Sequence, residues 1–429
     1  VTLPRLIVEV ALGVGSTSGP YLLLDDTSAG LLDTGTLGPD LIWTDLTSYV
    51  RGARISSPQR DRTISAYNAG NLAILLRDTD ARFDPTNTSS PYYVGGVSTL
   101  TPNRPIRVSA IYNSITYPLW YGYVDRWEPS GNSRTNDQWT TVTATDGFKL
   151  LGRSNPTAGP SVGSGELSGA RVSRLLDSAG WSGGLRSITA GISPLQATNL
   201  SANTLSELHL TSASEQGALF IDASGVLTFA DRYSQIVGPR SATSQATYSD
   251  ATGSGLPIVD ATIATDDELL INKVDLCRVG GTTQSVSDPS SIAAYSGDVA
   301  SGWGRTDLLN TTDAEVLGMA RWLLDRYKTP ENRFTSLTIK GEGAPATLWP
   351  ELLDTRLRDR VTAIWKRRGG TTFSQDVFVE GYAHEISIED SGRTDWTTVL
   401  SVIPTSGYSG FILFDDTSTA LLDTGKLAY

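Results

Sequence analysis

The sequence predicts a mainly β fold of the α+β type, with two related small β-barrels flanking an inserted α/β domain and short arms at both ends. Three observations predict it. The chain ends repeat: Leu23 to Leu37 reads LLDDTSAGLLDTGTL and Leu413 to Leu427 reads LFDDTSTALLDTGKL, with eleven of fifteen positions identical. A fainter repeat lies inside that pair. Arg107-Val108-Ser109-Ala110-Ile111-Tyr112 returns as Arg360-Val361-Thr362-Ala363-Ile364-Trp365, Gly122-Tyr123-Val124 as Gly381-Tyr382-Ala383, and Trp139-Thr140-Thr141-Val142 as Trp396-Thr397-Thr398-Val399. Between the repeats lies a stretch with helical periodicity and no counterpart. The period far exceeds the about 20–50 residues of a solenoid, so one β-module used twice is expected. Duplication of this kind builds pseudo-symmetry and favours an architectural role over catalysis.

Taken in order, residues 1–40 read as an N-terminal arm, because Pro20, Gly30, Gly35, Gly38 and Pro39 interrupt any long element. Residues 41–152 read as the first barrel. Leu72 to Leu76 is a short apolar run, Val108, Ala110 and Tyr112 fall on one strand face, Leu119 to Trp127 is aromatic-rich, and Trp139 to Thr145 alternates Thr with Val and Ala. Residues 153–262 read as the inserted domain, opening on a Pro/Gly/Ser-rich linker. One helix places Val172, Leu175, Leu176 and Ala179 on a face and stops at Gly180. A second has a capping box from Thr204 to Glu207. A hairpin follows, from Ala218 to Phe229 around Ser224-Gly225. Residues 263–405 read as the second barrel with one helix over about 312–328, opened by Thr312 and Glu315 and ended by Pro330. Residues 406–429 read as the C-terminal arm.

A chain of 429 residues has length for roughly two to four domains. No run of about 18 apolar residues is present, so no membrane insertion is expected. The start, VTLPRLIVEVALGVG, has no basic region before its apolar stretch and predicts no secretory signal. The formal charge of −12 argues against a phosphate grip, and suits a surface that nucleic acid passes without sticking. A lone cysteine, Cys277, excludes a disulfide framework and a thiolate metal site.

Catalytic chemistry has little to work with. The two histidines, His209 and His384, are far apart; His384 sits in phase with Tyr382 and Ile386, as a packed histidine would. No GxSxG elbow or P-loop occurs, and Gly163-Ser164-Gly165 to Gly169 fails the dinucleotide spacing. Asp78, Asp80 and Asp84 begin like a calcium loop, but Arg82 takes a ligand position. Asp25, Asp26, Leu31, Leu32 and Asp33, mirrored by Asp415, Asp416, Leu421, Leu422 and Asp423, stand as candidate interface residues in the arms, their carboxylates read as capping a repeated tight turn, with cation binding beside the Thr-Ser turn as the alternative. No catalytic residue, metal or cofactor is expected.

The stretch from Ser56 to Tyr93 carries a family resemblance. Arg60, Arg62, Ala69-Gly70, Arg82-Phe83-Asp84-Pro85, Asn87 and Ser90-Pro91-Tyr92-Tyr93 occupy the pattern of an Arg-rich segment, an Ala-Gly turn, an apolar strand and an Arg-Phe-Asp-Pro-x-Asn loop. This resembles the minor tail proteins of long-tailed phages that infect actinobacteria. Tyr117-Pro118, Ala144 to Leu150 and Asp359-Arg360-Val361 extend the likeness, which covers most of residues 45–405. The architecture is also similar to the baseplate hub (tail-tip hub) family, in which three copies place six barrels around the tail axis.

That resemblance implies a structural virion protein of the tail tip, made in the host cytoplasm. It implies a homotrimer, with the distal tail protein, the tape measure protein and other minor tail or fibre proteins as partners, and genomic DNA passing through without specific binding. Because the second arm ends the sequence, receptor binding and cell-wall cleavage are expected to reside in other proteins. Three other readings compete. A sixfold distal tail ring protein has less need of two barrels per chain, a carbohydrate-binding adhesin rests on the Trp and Tyr content, and a cell-wall hydrolase needs a carboxylate pair across a cleft.

Overall fold

The computed structural model describes residues 3–14 and 41–406, apart from 61, 63, 133–136, 156–160, 201, 252, 367 and 390. Both DDTSxxLLDTG segments, with Asp25, Asp26, Leu31, Leu32 and Asp33 and with Asp415, Asp416, Leu421, Leu422 and Asp423, lie outside the described residues.

The first part of the chain supplies seven strands: β1 (Arg5–Val14), β2 (Leu41–Asp45), β3 (Val50–Ser56), β4 (Asn71–Arg77), β5 (Pro105–Tyr112), β6 (Ile115–Asn132) and β7 (Asp137–Thr145). Their spatial order is β2-β1-β5-β6-β7-β4-β3. β1 corrects the reading of residues 1–40 as an arm. Leu6, Val8, Val10 and Leu12 alternate inward and are buried, and the strand pairs with β5 on one side and β2 on the other.

The segment that follows builds a small core of its own. Helices α1 (Ser168–Ser178) and α2 (Thr204–Glu215) and the hairpin β8 (Ala218–Ile221) and β9 (Leu227–Ala230) enclose Val172, Leu175, Leu176, Leu208, Leu219 and Phe229. The cap of α2 is Asn203 rather than Thr204: its side chain accepts from the Ser206 amide at 2.9 Å, while Glu207 reaches back to the Ala202 amide. In the hairpin turn Asp222 accepts from the amides of Ser224 and Val226, and Gly225 takes φ +84°.

The second half of the sheet begins inside the stretch expected to belong to the insertion. It comprises β10 (Ser244–Ser249), β11 (Leu256–Pro257) and β12 (Asp260–Ala264), and resumes much later. Between lies a three-stranded sheet of β13 (Lys273–Arg278), β14 (Gln284–Ser287) and β15 (Gly302–Leu308), covered by α3 (Asp313–Tyr327). Val274, Leu276, Val316, Met319 and Leu323 form its separate core, so the predicted helix covers this sheet, while its Trp322 packs on Phe378 and Ile403 of the main one. Thr312 caps it as expected, accepting from the Glu315 amide at 3.2 Å. The main sheet resumes with β16 (Arg333–Lys340). Helix α4 (Pro345–Leu353) follows and sends Leu348, Trp349 and Leu352 into the main core, and then come β17 (Arg360–Lys366), β18 (Thr372–Ile388) and β19 (Thr394–Pro404).

The second half has the order β11-β10-β17-β18-β19-β16-β12. Strand for strand this is the order of the first half, with β5, β6 and β7 answering to β17, β18 and β19, β4 to β16, and β3 to β12. The outer strands differ in direction: β1 and β2 pair antiparallel, β10 and β11 parallel. The halves do not form two closed barrels. β3 pairs with β18, giving one continuous fourteen-stranded sheet, and no barrel closes among the described residues. The protein is mainly β.

The sheet also re-registers the sequence repeat. The extra residue that bulges β6 against β7 is Asp125, and the one that bulges β18 against β19 is Glu380. Gly122-Tyr123-Val124 therefore precedes its bulge, whereas Gly381-Tyr382-Ala383 follows its own. Trp139 is half-buried and Trp396 buried, so the two Trp-Thr-Thr-Val blocks sit one residue out of phase. Val108 and Ala110 remain true counterparts in facing to Val361 and Ala363, all four buried.

Candidate functional site

The most constrained polar region is the junction where the two halves meet. Five residue pairs form the seam between β3 and β18: Ser56 with Ala383, Ile55 with His384, Arg54 with Glu385, Ala53 with Ile386 and Gly52 with Ser387. The backbone continues it beyond β3. Ser57 donates its amide to the Tyr382 carbonyl at 2.9 Å and takes the Tyr382 amide on its hydroxyl at 2.8 Å, and the Arg60 amide reaches the Glu380 carbonyl at 3.3 Å.

At the end of this seam the Glu380 bulge points a carboxylate into the interior. Arg60 donates to it from Nε at 2.8 Å, and Arg358 and the Tyr67 hydroxyl donate to its two oxygens. Arg60 also bonds the Gln235 side chain at 3.0 Å, and Arg358 reaches the Gln235 carbonyl at 3.2 Å. Both guanidiniums stack on rings, Arg60 over Tyr67 at 4.6 Å and Arg358 over Phe378 at 4.1 Å. The Arg60 and Glu380 side chains are each 1% exposed. Burial alone would raise the Glu380 carboxyl, but the charges of Arg60 and Arg358 and the bonds from Arg60 and Tyr67 outweigh it and hold it at about 2. Burial pushes the Tyr67 hydroxyl well above its ordinary range, so it stays protonated and donates. The cluster thus joins the first half, the second half and the segment between them.

The bulge of the first half repeats the device in weaker form. Asp125 takes Lys149 Nζ at 2.7 Å and the Thr145 hydroxyl at 2.7 Å. Nearby, Asp146 accepts the amides of Gly70 at 2.5 Å and Phe148 at 2.9 Å. Burial dominates there and lifts its carboxyl to about 7 against those two bonds.

The family-motif residues divide into two places. Arg60 belongs to the buried cluster, and Arg62 lines a small cavity with Asp266, Arg326, Glu331 and Arg333. The Arg-Phe-Asp-Pro-x-Asn loop is a self-capped turn about 20 residues further on. Phe83 is fully buried, stacked between Tyr92 at 5.6 Å and Trp127 at 6.4 Å and edge-on to Tyr49 at 5.1 Å. Arg82 pairs with Asp80 at 2.5 Å and covers the Tyr49 ring. Asp84 accepts from the amide and hydroxyl of Thr86, Asn87 donates to the Ala81 carbonyl, and Ser90 donates to the Arg82 carbonyl. Asp78 spends its carboxylate on the Phe83 amide and the Thr140 hydroxyl. Pro85 and Pro91 fix the turn between these bonds, Pro91 is exposed, and Tyr93 begins a two-residue strand. The side chains of Asp78, Arg82, Asp84, Asn87 and Ser90 are thus engaged with the loop itself or with the residues beneath it.

His384 is buried, and His209 lines a small cavity with Ile64, Ser212, Trp303 and Arg305. His384 Nδ1 accepts from Trp396 Nε1 at 3.3 Å and lies 2.9 Å from the Thr398 hydroxyl, and burial lowers it to about 4. His209 packs edge-on to Phe148 at 5.5 Å. Among the described residues no group of three or more His, Cys, Asp or Glu side chains converges as a metal site. No described helix is long and apolar enough to cross a membrane.

Comparison with solved structures identifies the fold. The chain is similar over 94% of its length to the 43 kDa tail protein of prophage MuSo2 from Shewanella oneidensis, covering 98% of that chain, at 12% identity and a TM-score of 0.54. It is similar over the same share to a tail protein from Neisseria meningitidis MC58, covering 96% of that chain, at 11% identity and a TM-score of 0.55. No protein-family model and no curated protein matches the sequence. At these identities the likeness is one of fold, and it includes both halves and the segments between them.

Sequence reasoning found Arg60 but missed Glu380, Arg358, Tyr67 and Gln235. One signal was available: Glu380 interrupts the apolar run Val377-Phe378-Val379, where a carboxylate needs a buried partner. Nothing local names that partner, because it lies 320 residues away.

Proposed function

We propose that this chain is a structural virion protein of a phage tail tip, forming a trimeric, pseudo-sixfold baseplate hub around the DNA channel. The hub joins the tail tube and distal tail ring to distal tip or fibre proteins. One observation carries the reading: a single chain holds two seven-stranded halves of the same strand order, in a fold matched end to end by two phage or bacterial tail proteins. Three such chains supply six equivalent halves, which is what a threefold protein needs to seat on a sixfold tube. In the trimer the halves act as the two barrels of the hub, their edges completed by neighbours. The net charge of −12 suits a channel that DNA must traverse without adhering. Itself, the distal tail protein and the tape measure protein are the expected partners, and the virion tail tip the expected location. The chain has no enzymatic role in this reading, and the motif residues from Arg82 to Tyr93 hold a loop in shape.

A reconstruction of the intact tail tip without imposed symmetry tests this. Three copies with six similar halves around the axis are expected. Six copies would move the chain to the distal ring, and a peripheral position would make it an adhesin.

A further inference from the structure

The duplicated topology makes the β3·β18 seam a template. In the second half β18 is flanked by β19 on one side, and on the other by β17 for its first part and β3 for its second. Its counterpart β6 is flanked by β7, and on the other side by β5 only as far as Tyr123, with Asn103 and Arg104 bonding Val124. Beyond that point β6 pairs on one side only among the described residues. Glu128, Pro129, Ser130 and Gly131 are exposed. The counterpart of β3 is β12, which pairs with β16 and with nothing on its other side among the described residues. Thr262 is exposed there, and Val259 just before the strand is 62% exposed. Each chain therefore carries one half-seam of each kind, both open among the described residues. Open edges of this sort pair with another strand unless they are covered.

We infer that β12 of one copy pairs antiparallel with the distal part of β6 in a second copy, reproducing between chains the seam that β3 and β18 make within one. This deepens the hub reading and rests on it for the number of copies. The ladders fix the register. Arg54 stands in a row with Ala73, Thr143 and Arg126, and Thr262 in a row with Ser336, Ser401 and Gly381. Arg126 and Gly381 each follow their bulge directly, so the rows are equivalent. Within the chain Arg54 faces Glu385, four residues past Gly381. Four residues past Arg126 is Ser130. Thr262 of one copy thus faces Ser130 of the next. Pro129 removes one donor from this edge, so the intermolecular ladder has at most one bond fewer than its template. Because the two edges differ, the contact is heterologous and propagates head to tail until it closes. With three copies it closes a ring of six halves with alternating intrachain and interchain seams.

The test is disulfide trapping in the full chain with Cys277→Ser as background. Directly opposed antiparallel positions lie within disulfide reach. The double variant Thr262→Cys, Ser130→Cys should give oxidised species of two and three chains. A mixture of the two single variants should give dimers only, and either single variant alone should give none at this position. A preparation with the mass of a trimer but no cross-link overturns the seam and leaves the hub reading intact. A monomeric preparation without a cross-link also overturns the seam, and the copy number in the tail-tip reconstruction then decides the hub separately. As a second variant, Ala261→Pro, at a position whose amide turns away from β16 onto the Asp260 side chain, should keep the circular dichroism of the parent and lose the trimer. A trimer that survives it counts against the seam.

Discussion

Arg60 and Glu380, 320 positions apart in the chain, meet as a buried ion pair at 2.8 Å on the line where the two halves of the sheet join. The pair cannot be weighed as a surface salt bridge. Both side chains are almost wholly out of water, and removal of one partner strands the other. Glu380→Gln removes the buried counter-charge that Arg60 and Arg358 share. It should lower the unfolding free energy by about 3–5 kcal/mol, measured by urea denaturation. A loss below about 1 kcal/mol, the range of exposed pairs, would mean that the cluster does not hold the junction.

Two buried titratable groups of opposite character give the pH dependence a testable sign. Burial lowers the His384 imidazole to about 4, so the folded protein holds it neutral. Its contribution is intact above the unfolded value near 6.5 and is lost as pH falls from there through 4. Burial raises the Asp146 carboxyl to about 7, against the bonds from Gly70 and Phe148. Its folded form prefers the proton, so its contribution declines as pH rises from the unfolded value near 3.8 through 7. Relative to wild type, His384→Gln should therefore lose the acid-side decline between pH 6.5 and 4. Asp146→Asn should lose the decline on the rising side. Parallel stability profiles for wild type and both variants would refute the assignment.

The strands were legible because their alternation is local. Val108, Ala110, Leu72 and Ile74 are buried where a period of two puts them. The same alternation runs through Leu6, Val8, Val10 and Leu12, but the glycines and prolines that follow carry the stronger local signal and read as an arm. The duplication was legible too, but its register was not. A β-bulge shifts facing by one residue without marking the sequence, so the Trp139 and Trp396 blocks match as letters and not as positions. The junction was hidden for a different reason. Arg60, Tyr67, Gln235, Arg358 and Glu380 come from three segments of the chain, and no spacing rule relates them.

Gly341 tests the packing of α4 against the main sheet. A Cβ there would fall 2.3 Å from the Trp349 ring, at a place where Trp349 is wholly buried and set edge-on to Trp396 at 5.3 Å. Gly341→Ala should cost about 1–3 kcal/mol by overpacking. Thermal denaturation would show it, and a neutral result would mean that α4 packs more loosely than the ring geometry indicates.

Phe83 separates a structural motif from a recognition motif. It is fully buried and touches Tyr49, Tyr92 and Trp127. Phe83→Ala should cost about 3–5 kcal/mol through lost burial and a cavity. Asp84→Ala, on the same loop, loses only the bonds to Thr86 at a half-exposed site. It should cost about 1 kcal/mol. If the loop served chiefly to grip a partner, Asp84→Ala would impair tail assembly while leaving stability nearly unchanged, and Phe83→Ala would be the milder change in the isolated chain.

The repeated arms give the last prediction. β19 completes its pairing with β18 by Pro404, and Ser406 bonds Glu331 at 2.8 Å, so the described sheet and its cores are built before residue 407. Residues 411–429 carry the second DDTSxxLLDTG copy, with Asp415, Asp416 and Asp423. Their near-identity to residues 21–37 is hard to explain by packing in one chain. The first copy lies between β1 and β2, and the second follows β19. The same sequence serving two such places is what a partner with equivalent sites in a ring would require. Deletion of 411–429 should therefore leave the melting temperature of the isolated chain unchanged and reduce its incorporation into tails, scored by mass spectrometry of purified particles. Loss of the folded state on deletion would make the segment part of the core, and normal incorporation would remove its role as a connector.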